Sequence, residues 1–432
     1  MRVYFHTFGC KANQYDTERM RQEAEARGGT TVGSWGDADV CVVNTCTVTN
    51  HADAEARRFV RRVARENPAL RVVVAGCSAV LRAPAFRAMG EVDGVVEGHD
   101  PVAVAGAVLP GPPVQLGLRS SLARIHMEPV GGELLQRRAG ATRGWLKVQD
   151  GCDRRCSFCA TRLARGASSS RAPDEVVREA RALSGAHPEL VVTGIHIGHY
   201  GRDLDPPWTL ARLVALVLDR VPDVRLRLGS VEATEVDDDL LALLAGSGGR
   251  LAPHLHMPLQ SGSDEVLRGM RRWHTRAQYR RRALEIAACV GPIGLGADII
   301  TGFPGETEED HVLTRDLVGE LPFTYLHVFP FSPRDGTPAA GLPGRVPQRV
   351  AGERARELRE LGQAKGLAYR SRMSGSRARV VLEDQGATAL TGDYLRVAVP
   401  EPPQVPGRLL EGTLQGPGGH LYIAWPRQNP SN

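Results

Sequence analysis

The stretch GCDRRCSFC, residues 151–159, contains Cys152, Cys156 and Cys159 in a CxxxCxxC pattern. Three thiolates this close together can hold three irons of a 4Fe–4S cluster, so that the fourth iron stays open to a small molecule. Chemistry at a metal requires such an open coordination position. A zinc site is the alternative, but it would normally need a fourth cysteine or histidine, and the segment has none. The pattern therefore predicts an iron–sulfur cluster with an open iron.

Strand-like and helix-like stretches alternate on the carboxyl side of this segment. The predicted strands are residues 145–149, 190–194, 225–229, 254–258, 294–300 and 325–329. Helical patterns such as residues 173–183, 210–219 and 276–289 lie between them. Six strand–helix repeats predict a partial barrel with its active site at the carboxyl ends of the strands. A long charged helix is expected over residues 349–370.

The two ends of the chain have different patterns. Near the amino end, predicted strands at residues 3–8, 39–44 and 71–75 alternate with helices at 13–27 and 52–65, which indicates a parallel sheet with crossovers. A stretch rich in glycine and proline, residues 101–113, is expected to end this unit. Near the carboxyl end, short strands at 378–383, 394–399 and 421–425 predict a small antiparallel β module. We expect an α/β protein with three domains, residues 1–112, 138–370 and 371–430.

Three further cysteines are scattered along the amino-terminal unit. Cys10, Cys46 and Cys77 each follow a predicted strand of the same parallel sheet. Ligands bind at the carboxyl edge of such sheets, so three thiolates there suggest a second cluster. The alternative is three unrelated reduced cysteines. Cys41 lies inside a strand and Cys289 on a helix, and both are expected to pack as small apolar side chains.

Composition limits the classes of protein that the chain could be. The 432 residues are 42% hydrophobic and 24% charged, which is ordinary for a globular protein. The beginning does not resemble a signal peptide, and no apolar run approaches the ~18 residues that span a bilayer. A cytoplasmic protein with no membrane partner is expected. The net charge of +5 permits a nucleic-acid partner without arguing for one.

The motifs resemble those of a known family. CxxxCxxC with Phe158 before the last cysteine is similar to the signature of radical S-adenosylmethionine (SAM) enzymes. FGCKANQYDTE, NTCTVT and VVVAGCSA resemble the three cysteine-bearing blocks of methylthiotransferases. TGIHIGHYG, RLGSVE, HLHMPLQSGSDEVLRGMRR and DIITGFPGETEED resemble further blocks of that family in the same order, and the tail resembles its TRAM domain.

This resemblance implies two 4Fe–4S clusters, one on each cysteine trio, and SAM as cofactor. It implies transfer of a methylthio group to C2 of an adenosine beside the anticodon of tRNA, at position 37. NTCTVT, TGIHIGHYG and HVFPFSPRDGTPA look most like the branch that acts on N6-threonylcarbamoyladenosine. The alternatives are isopentenyladenosine in tRNA, an aspartate of a ribosomal protein, or a non-catalytic iron–sulfur RNA-binding protein. The implied partners are the tRNA anticodon stem-loop, a reductant protein and a sulfur donor.

Five further residues are candidates for binding SAM. Thr193, Gly194, Ser230 and Glu232 fall at the ends of predicted barrel strands, and Gln260 lies in the PLQSG stretch. For Glu232 the alternative is a charge at a helix amino terminus, and for Gln260 it is a simple turn. Ser261 has the same two explanations as Gln260, whereas Glu306 and the His254/His256 pair have structural explanations that we prefer. The segments CATRLARGASSSR and PPQVPGR depart from the family's pattern, which leaves the substrate-facing surface less defined.

Overall fold

The computed structural model describes residues 1–47, 50–109, 134–138, 140–400 and 408–426. It divides into two compact units. The first contains Met1–Leu135, Lys147–Arg171 and Ser332–Ala340, and the second contains Gln136–Leu146, Ala172–Phe331 and Gly341–Asn432. Among the described helices, none combines the length and the apolar character that crossing a bilayer requires.

A five-stranded parallel sheet forms the centre of the first unit, in the order β2-β1-β3-β4-β5. Its strands are β1 Arg2–Thr7, β2 Thr30–Thr31, β3 Val40–Thr45, β4 Arg71–Gly76 and β5 Gly94–Val95. Its helices are α1 Lys11–Ala26, α2 Asn50–Glu66, α3 Cys77–Arg87 and α4 Pro101–Val108. The predicted parallel sheet with crossover helices is therefore confirmed.

Helices cover both faces of this sheet, which explains why β3 (VCVVNT) is buried at every position. Val60 of α2 packs on one face, against Val43 and Val74. Met20 of α1 and Val104 of α4 pack on the other. The alternating side chains of one strand thus contribute to two separate apolar clusters.

Residues 101–108, the first part of the stretch that was expected to end this unit, form helix α4. The Asp100 carboxylate accepts a hydrogen bond from the Val102 amide, and Pro101 occupies the first turn, where its missing amide costs nothing. Asp100 and Pro101 thus form the amino terminus of helix α4. The rest of that prediction, and the boundary at residue 112, lie outside the described residues.

Six strands of the second unit form the predicted partial barrel. They are β6 Arg143–Lys147, β9 Glu189–Thr193, β10 Arg225–Leu228, β11 His254–His256, β12 Gly294–Thr301 and β13 Tyr325–Pro330; the short strands β7 Gln149–Asp150 and β8 Ser169–Ser170 belong to the first unit. The barrel strands form two sheets, β10-β9-β6 and β11-β12-β13. Parallel bridges from Leu226 to Leu251 and from Ser230 to His256 join the two sheets.

Helices connect the barrel strands and cover their outer face. After the short helix α5 Thr161–Arg165 of the first unit, the helices are α6 Pro173–Ser184, α7 Leu210–Arg220, α8 Asp238–Gly246, α9 Asp264–Gly269, α10 Arg276–Cys289, α11 Glu308–Glu320 and α12 Gln348–Met373. Helix α12 is the long charged helix that the sequence predicted. Its Arg359 side chain donates a hydrogen bond to the carbonyl of Val328 on β13. Leu326 packs beside Gly362 of the same helix, so the odd-numbered side chains of β13 face inward.

The carboxyl-terminal module is a closed β-barrel in the order β14-β15-β16-β18-β17. Its strands are β14 Arg377–Glu383, β15 Thr388–Thr391, β16 Arg396–Ala398, β17 Leu410–Gln415 and β18 Tyr422–Ala424. The sequence pattern did not predict strands β15 and β17. It also started β16 too early, because Tyr394 adopts a left-handed backbone conformation (φ 71°) that ends a strand. The PPQVPGR departure falls almost wholly on residues 401–407, outside the described chain.

A buried ion cluster attaches this module to the amino ends of the barrel strands. Glu189, Arg225 and Arg227 are at most 1% exposed. Arg227 Nε lies 2.8 Å from a Glu189 oxygen, and its terminal nitrogens donate to the carbonyls of Thr391 and Gly392 in the module. Arg225 binds the same carboxylate and donates to the carbonyl of Arg379. One carboxylate is therefore shared by two guanidinium groups, which also donate to backbone carbonyls of the module.

Tyr394 lies beneath the inner face of the barrel, beside this ion cluster. Its ring stacks on His254 with centroids 4.3 Å apart, and the Arg227 guanidinium lies 5.2 Å from the ring centre. A Cβ atom on Gly294 would approach the Asp393 carbonyl oxygen to 2.1 Å, so only glycine permits this contact. The turn at Asp393 and Tyr394 thus closes the amino end of the barrel.

We expect Glu189→Gln to lower the free energy of unfolding by about 3–5 kcal/mol, because it leaves two buried guanidinium groups without a counter-charge. Burial opposes ionisation of Glu189, but Arg225 and Arg227 outweigh it and lower its pKa to about 2. This carboxylate therefore contributes stability above its unfolded pKa of about 4.3, and that stability is lost as the pH falls towards 2. Denaturant midpoints measured across this pH range should show the loss in the wild type and not in the variant.

The matched control is Glu411→Gln, because Glu411 forms a largely exposed ion pair with Arg379 in the same module. We expect a change of about 0–1 kcal/mol there. Equal effects of the two substitutions would contradict the role given to Glu189.

Candidate active site

Cys10, Cys46 and Cys77 follow β1, β3 and β4 of the parallel sheet. Thr7 pairs with Asn44 and Thr45 pairs with Gly76, so the three strands end side by side. The three cysteines consequently occupy neighbouring loops at the carboxyl edge of one sheet. Cys10 is exposed, whereas Cys46 and Cys77 are buried.

Two glycines allow these loops to approach one another. A Cβ atom on Gly9 would lie 2.6 Å from Cys46 Sγ, and one on Gly76 would lie 2.2 Å from Asn44 Oδ1. Both glycines also have positive φ angles, 103° and 93°. Glycine is therefore required at both positions by its backbone conformation as well as by space.

Asn13, in the first turn of α1, ties the loops together. It is fully buried, and its amide donates to the carbonyls of Phe8 and Thr45, each at 2.9 Å. Its Oδ1 lies 3.5 Å from Cys77 Sγ. One side chain thus contacts the segments that carry all three cysteines.

The second trio lies in the loop between β7 and α5, also in the first unit. Gly151 (φ 67°) begins the loop, where a Cβ atom would meet the Ala167 carbonyl oxygen at 1.8 Å. Burial raises the pKa of the Cys152 thiol to about 11, and the neighbouring Cys159 and Cys156 add to the effect. All eight cysteines of the chain are reduced.

The number of sulfur donors separates the two metal hypotheses. Each trio supplies three thiol ligands. A structural zinc ion normally takes four protein ligands, whereas three thiolates can hold three irons of a 4Fe–4S cube and leave the fourth iron open. The donor set of each trio therefore suits a cluster.

Arg165, the last residue of α5, connects the two cysteine-bearing regions. Its side chain is 1% exposed. It donates to Cys77 Sγ at 3.2 Å and to Asn13 Oδ1 at 2.6 Å. Its terminal nitrogens also bind the carboxylates of Asp16 at 2.7 Å and Asp150 at 2.9 Å. A residue placed by the Cys152–Cys159 loop therefore contacts a cysteine of the other trio.

Lys147 completes this charge network, with its ammonium group 2.7 Å from both Asp16 and Asp150. Burial disfavours the charged carboxylate, but Lys147 and Arg165 outweigh it and hold the pKa of Asp16 below its ordinary value. Burial also raises the pKa of the Cys77 thiol, an effect that Arg165 opposes. Two cations and two anions are thus buried together, with one cation against a thiol.

A second buried network lies on the other side of the scattered trio. Arg334, from the SPRDGTP stretch, donates to Thr47 at 2.6 Å and to Asp53 at 2.7 Å. Asp53 in turn accepts a hydrogen bond from Ser78. Thr47 and Ser78 directly follow Cys46 and Cys77, so Arg334 fixes the neighbours of two candidate ligands.

In the second unit, the five candidate SAM-binding residues lie at the carboxyl ends of β9 and β10 and after β11. Glu232 precedes a short helix at its amino terminus, makes no side-chain cap to it, and forms an ion pair with Arg272. Burial raises the pKa of Glu232, against the effect of Arg272. Gln260 has a positive φ of 68°, and its buried Oε1 has no hydrogen-bond partner among the described residues.

Other candidate residues form hydrogen bonds within the fold. Glu306 accepts the backbone amide of Gly302 at 2.8 Å and pairs with Arg354. Ser261 contacts Thr314 within a buried turn. Cys41 is buried as expected, but Cys289 is exposed, so its predicted packing is wrong. It is the last residue of α10, where little of the fold covers it.

Sequence reasoning missed the residues that position the cysteines. Asn13 and Asp16 stand three and six residues after Cys10, which places them on one face of α1. Arg165 is six residues after Cys159. The spacing of Asn13 and Asp16 was readable, but their convergence with Arg165 joins residues about 150 apart and has no local signal.

Comparisons with known proteins agree with this architecture. Residues 2–97 match an uncharacterized protein family, UPF0004, and residues 146–318 match the radical SAM superfamily. The threonylcarbamoyladenosine tRNA methylthiotransferase MtaB of Bacillus subtilis is 36% identical over 88% of this chain and 85% of its own. The tRNA-2-methylthio-N(6)-dimethylallyladenosine synthase of Bacillus cereus is 30% identical over 89% of this chain and 76% of its own.

The chain belongs to the radical SAM methylthiotransferase family. A solved structure supports the fold alone: the radical SAM methyltransferase TsrM from Kitasatospora setae, with cobalamin and a [4Fe–4S] cluster bound, matches with a TM-score of 0.57. The identity is 16%, over 78% of this methylthiotransferase and 77% of the other chain.

We expect Arg165→Met to destabilise this methylthiotransferase by about 3–5 kcal/mol, because two buried carboxylates then share one lysine. Thermal unfolding of the cluster-free chain measures the loss. Adding Asp16→Asn should recover part of it, and the double-mutant cycle should give a coupling energy of about 0.5–3 kcal/mol.

Arg162→Met is the control, since Arg162 lies on the same helix and donates to the Asp153 carbonyl from an exposed position. An Arg165 variant no less stable than the Arg162 variant would show that the network does not support the fold.

Proposed function

We propose that this protein is a radical SAM methylthiotransferase that adds a methylthio group to C2 of N6-threonylcarbamoyladenosine beside the anticodon of tRNA, at position 37. The observation that carries the proposal is the placement of six cysteines, three and three, in one compact unit of a chain from this family. The choice of substrate is supported by identities of 32–36% to threonylcarbamoyladenosine methylthiotransferases, against 30–33% to dimethylallyladenosine synthases.

The two trios suit two 4Fe–4S clusters with SAM as cofactor. The ligands would be Cys10, Cys46 and Cys77 for one cluster, and Cys152, Cys156 and Cys159 for the other. Each set supplies three sulfur donors, which leaves one iron of each cube open. Iron binding would displace the protons of Cys77 and Cys152, whose thiol pKa values are raised. When bound, these groups supply radical cleavage of SAM at one site and a methylated sulfur at the other.

Residues of this chain hold and adjust the scattered trio. Arg165 places a positive charge against Cys77 Sγ, which favours the deprotonated form that binds iron. Asn13 and Arg334 fix the loops around Cys46 and Cys77 through buried hydrogen bonds. Such rigid support keeps ligand geometry constant when a metal group enters.

Thr193, Gly194, Ser230, Glu232 and Gln260 are proposed to contact SAM. Their positions after barrel strands are where ligands of this fold class bind. The unsatisfied Oε1 of Gln260 suits an acceptor for the ammonium group of the cofactor. The carboxylate of Glu232 and the hydroxyl of Ser230 suit ribose or ammonium contacts.

Partners and location follow from the activity. The substrate is tRNA, and a reductant protein and a sulfur donor are required as partners in the cytoplasm. We propose that the small β module, residues 371–430, and Arg154, Arg155 and Arg162 hold its phosphates. Arg165 and Arg171 lie in the same segment, but both side chains are buried and bonded within the protein, so they are not available to RNA. The remaining domains would be residues 1–112 and 138–370.

The decisive assay reconstitutes the protein anaerobically with iron and sulfide and supplies SAM, reductant and tRNA that carries threonylcarbamoyladenosine. Mass spectrometry of the nucleosides should show a gain of one methylthio group. Cys10→Ala and Cys152→Ala should each abolish the product, because each removes one cluster ligand.

Cys289→Ala is the control, since this exposed cysteine lies in neither trio, and it should retain activity. Formation of deoxyadenosine without modification of this tRNA would redirect the assignment to isopentenyladenosine or to a ribosomal protein. If Cys289→Ala also lost activity, the loss in the Cys10 and Cys152 variants could not be attributed to cluster binding by the six cysteines.

Arg377→Glu with Arg379→Glu should weaken tRNA binding without changing the iron content of the reconstituted protein. Arg377 begins β14 on an exposed face and Arg379 is partly exposed, so charge reversal there spares the buried contacts. The fall in affinity should be largest at low salt, because phosphate contacts act through charge. Unchanged affinity would exclude the module from RNA binding.

A further inference from the structure

The inner face of β11, β12 and β13 carries polar and aromatic side chains in layers. On β13, Tyr325, His327 and Phe329 alternate along this face. The Tyr325 hydroxyl lies 2.8 Å from His254 Nε2 and 3.1 Å from His256 Nδ1 on β11, two strands away. Gly296 of β12 leaves room for the Tyr325 ring, since a Cβ atom there would lie 2.0 Å from Cζ of the ring.

The middle layer is a hydrogen-bonded group of three side chains. Asp298 Oδ1 lies 3.0 Å from His256 Nε2 and 3.2 Å from His327 Nδ1. Burial disfavours the charged carboxylate, but the hydrogen bonds from His256 and His327 hold the pKa of Asp298 well below its ordinary value. The Tyr325 hydroxyl bonds the other ring nitrogen of His256, Nδ1. The orientation of the His256–Asp298–His327 group is therefore fixed.

The upper layer is open. The His327 side chain is 54% exposed, and Phe329 is 46% exposed. Their ring centres are 6.4 Å apart. Ile300 of β12, the register partner of Phe329, is partly buried beside them. An aromatic ring, an apolar neighbour and a fixed carboxylate–imidazole pair therefore lie together at the exposed end of this face.

These groups match the chemistry of a purine nucleoside. An exposed aromatic ring can stack on any of the bases, because every base has a flat aromatic face. A carboxylate accepts hydrogen bonds from N–H groups, and an imidazole N–H donates to ring nitrogens, carbonyls or carboxylates. An enzyme that acts on a base must take it out of its stack and hold it in such a site.

We propose that Phe329, Asp298 and His327 form a binding site for a purine nucleoside, the target adenosine of the tRNA. Phe329 stacks on the base, and the Asp298–His327 pair bonds its polar edge, where the threonylcarbamoyl group offers N–H, hydroxyl and carboxylate groups. This assignment rests on the proposed function and extends it to named residues. The adenosyl group of SAM shares the same chemistry, so the experiment must separate the two sources.

The test uses the reconstituted full-length protein with Phe329→Leu and Phe329→Tyr. Leucine keeps the apolar character but removes the aromatic face, and tyrosine keeps the face. We expect Phe329→Leu to raise KM for tRNA by about 5- to 100-fold, the range found when base stacking is lost, and Phe329→Tyr to retain the wild-type KM. Affinity for SAM, and deoxyadenosine formation from SAM without tRNA, should be unchanged in both variants.

Asp298→Asn tests the polar contact at nearly constant size. We expect a raised KM for tRNA with unchanged SAM affinity, and thermal unfolding would show that the variant is folded. Leu313→Ala is the matched control, because Leu313 is an apolar side chain of α11 with a similar exposure, 42%, away from this face. It should leave every parameter unchanged.

Two results would overturn the proposal. A loss of SAM affinity and of tRNA-independent deoxyadenosine formation in Phe329→Leu would assign the site to the adenosyl group of SAM. An unchanged KM for tRNA in both Phe329→Leu and Asp298→Asn would show that no nucleoside binds there. If the wild type instead modifies isopentenyladenosine, the proposed substrate fails, but the same KM comparison on that tRNA still decides the site.

Discussion

The buried guanidinium of Arg165 is the interaction on which the cysteine-bearing unit depends. Its side chain, on the helix that follows the Cys152–Cys159 loop, bonds the Cys77 thiol and forms ion pairs with Asp16 and Asp150, which it shares with Lys147. Because these groups are out of water, each charge is costly without the others. Arg165 therefore links the sheet, the loop of the second trio and the first helix through one buried side chain.

Local pattern was enough to predict much of this molecule. The parallel strands were readable from runs of valine, and the alignment of Cys10, Cys46 and Cys77 followed from the rule that parallel strands end at one edge. The barrel was readable from six strand–helix repeats. These features depend on residues close together in the sequence, so a short stretch of sequence is enough to predict each of them.

The sequence did not reveal the features that join distant segments. Glu189 reads as an ordinary strand residue, yet it neutralises Arg225 and Arg227 and so attaches the β module. Tyr394 reads as part of a strand, but its left-handed backbone makes a turn that fills the end of the barrel. β17 was missed because its LEGTLQ pattern contains Gly412, which is needed where a Cβ atom would meet Ile423 at 2.6 Å. Each case depends on a contact with a residue more than ten positions away.

The turn at Asp393 and Tyr394 also determines how molecules reach the interior. Asp393 and Tyr394 pack against the amino ends of the barrel strands, so protein side chains and backbone occupy that end. Barrels of this class bind their ligands at the opposite, carboxyl ends of the strands. The same turn that attaches the β module therefore leaves the carboxyl ends as the side from which a ligand would enter.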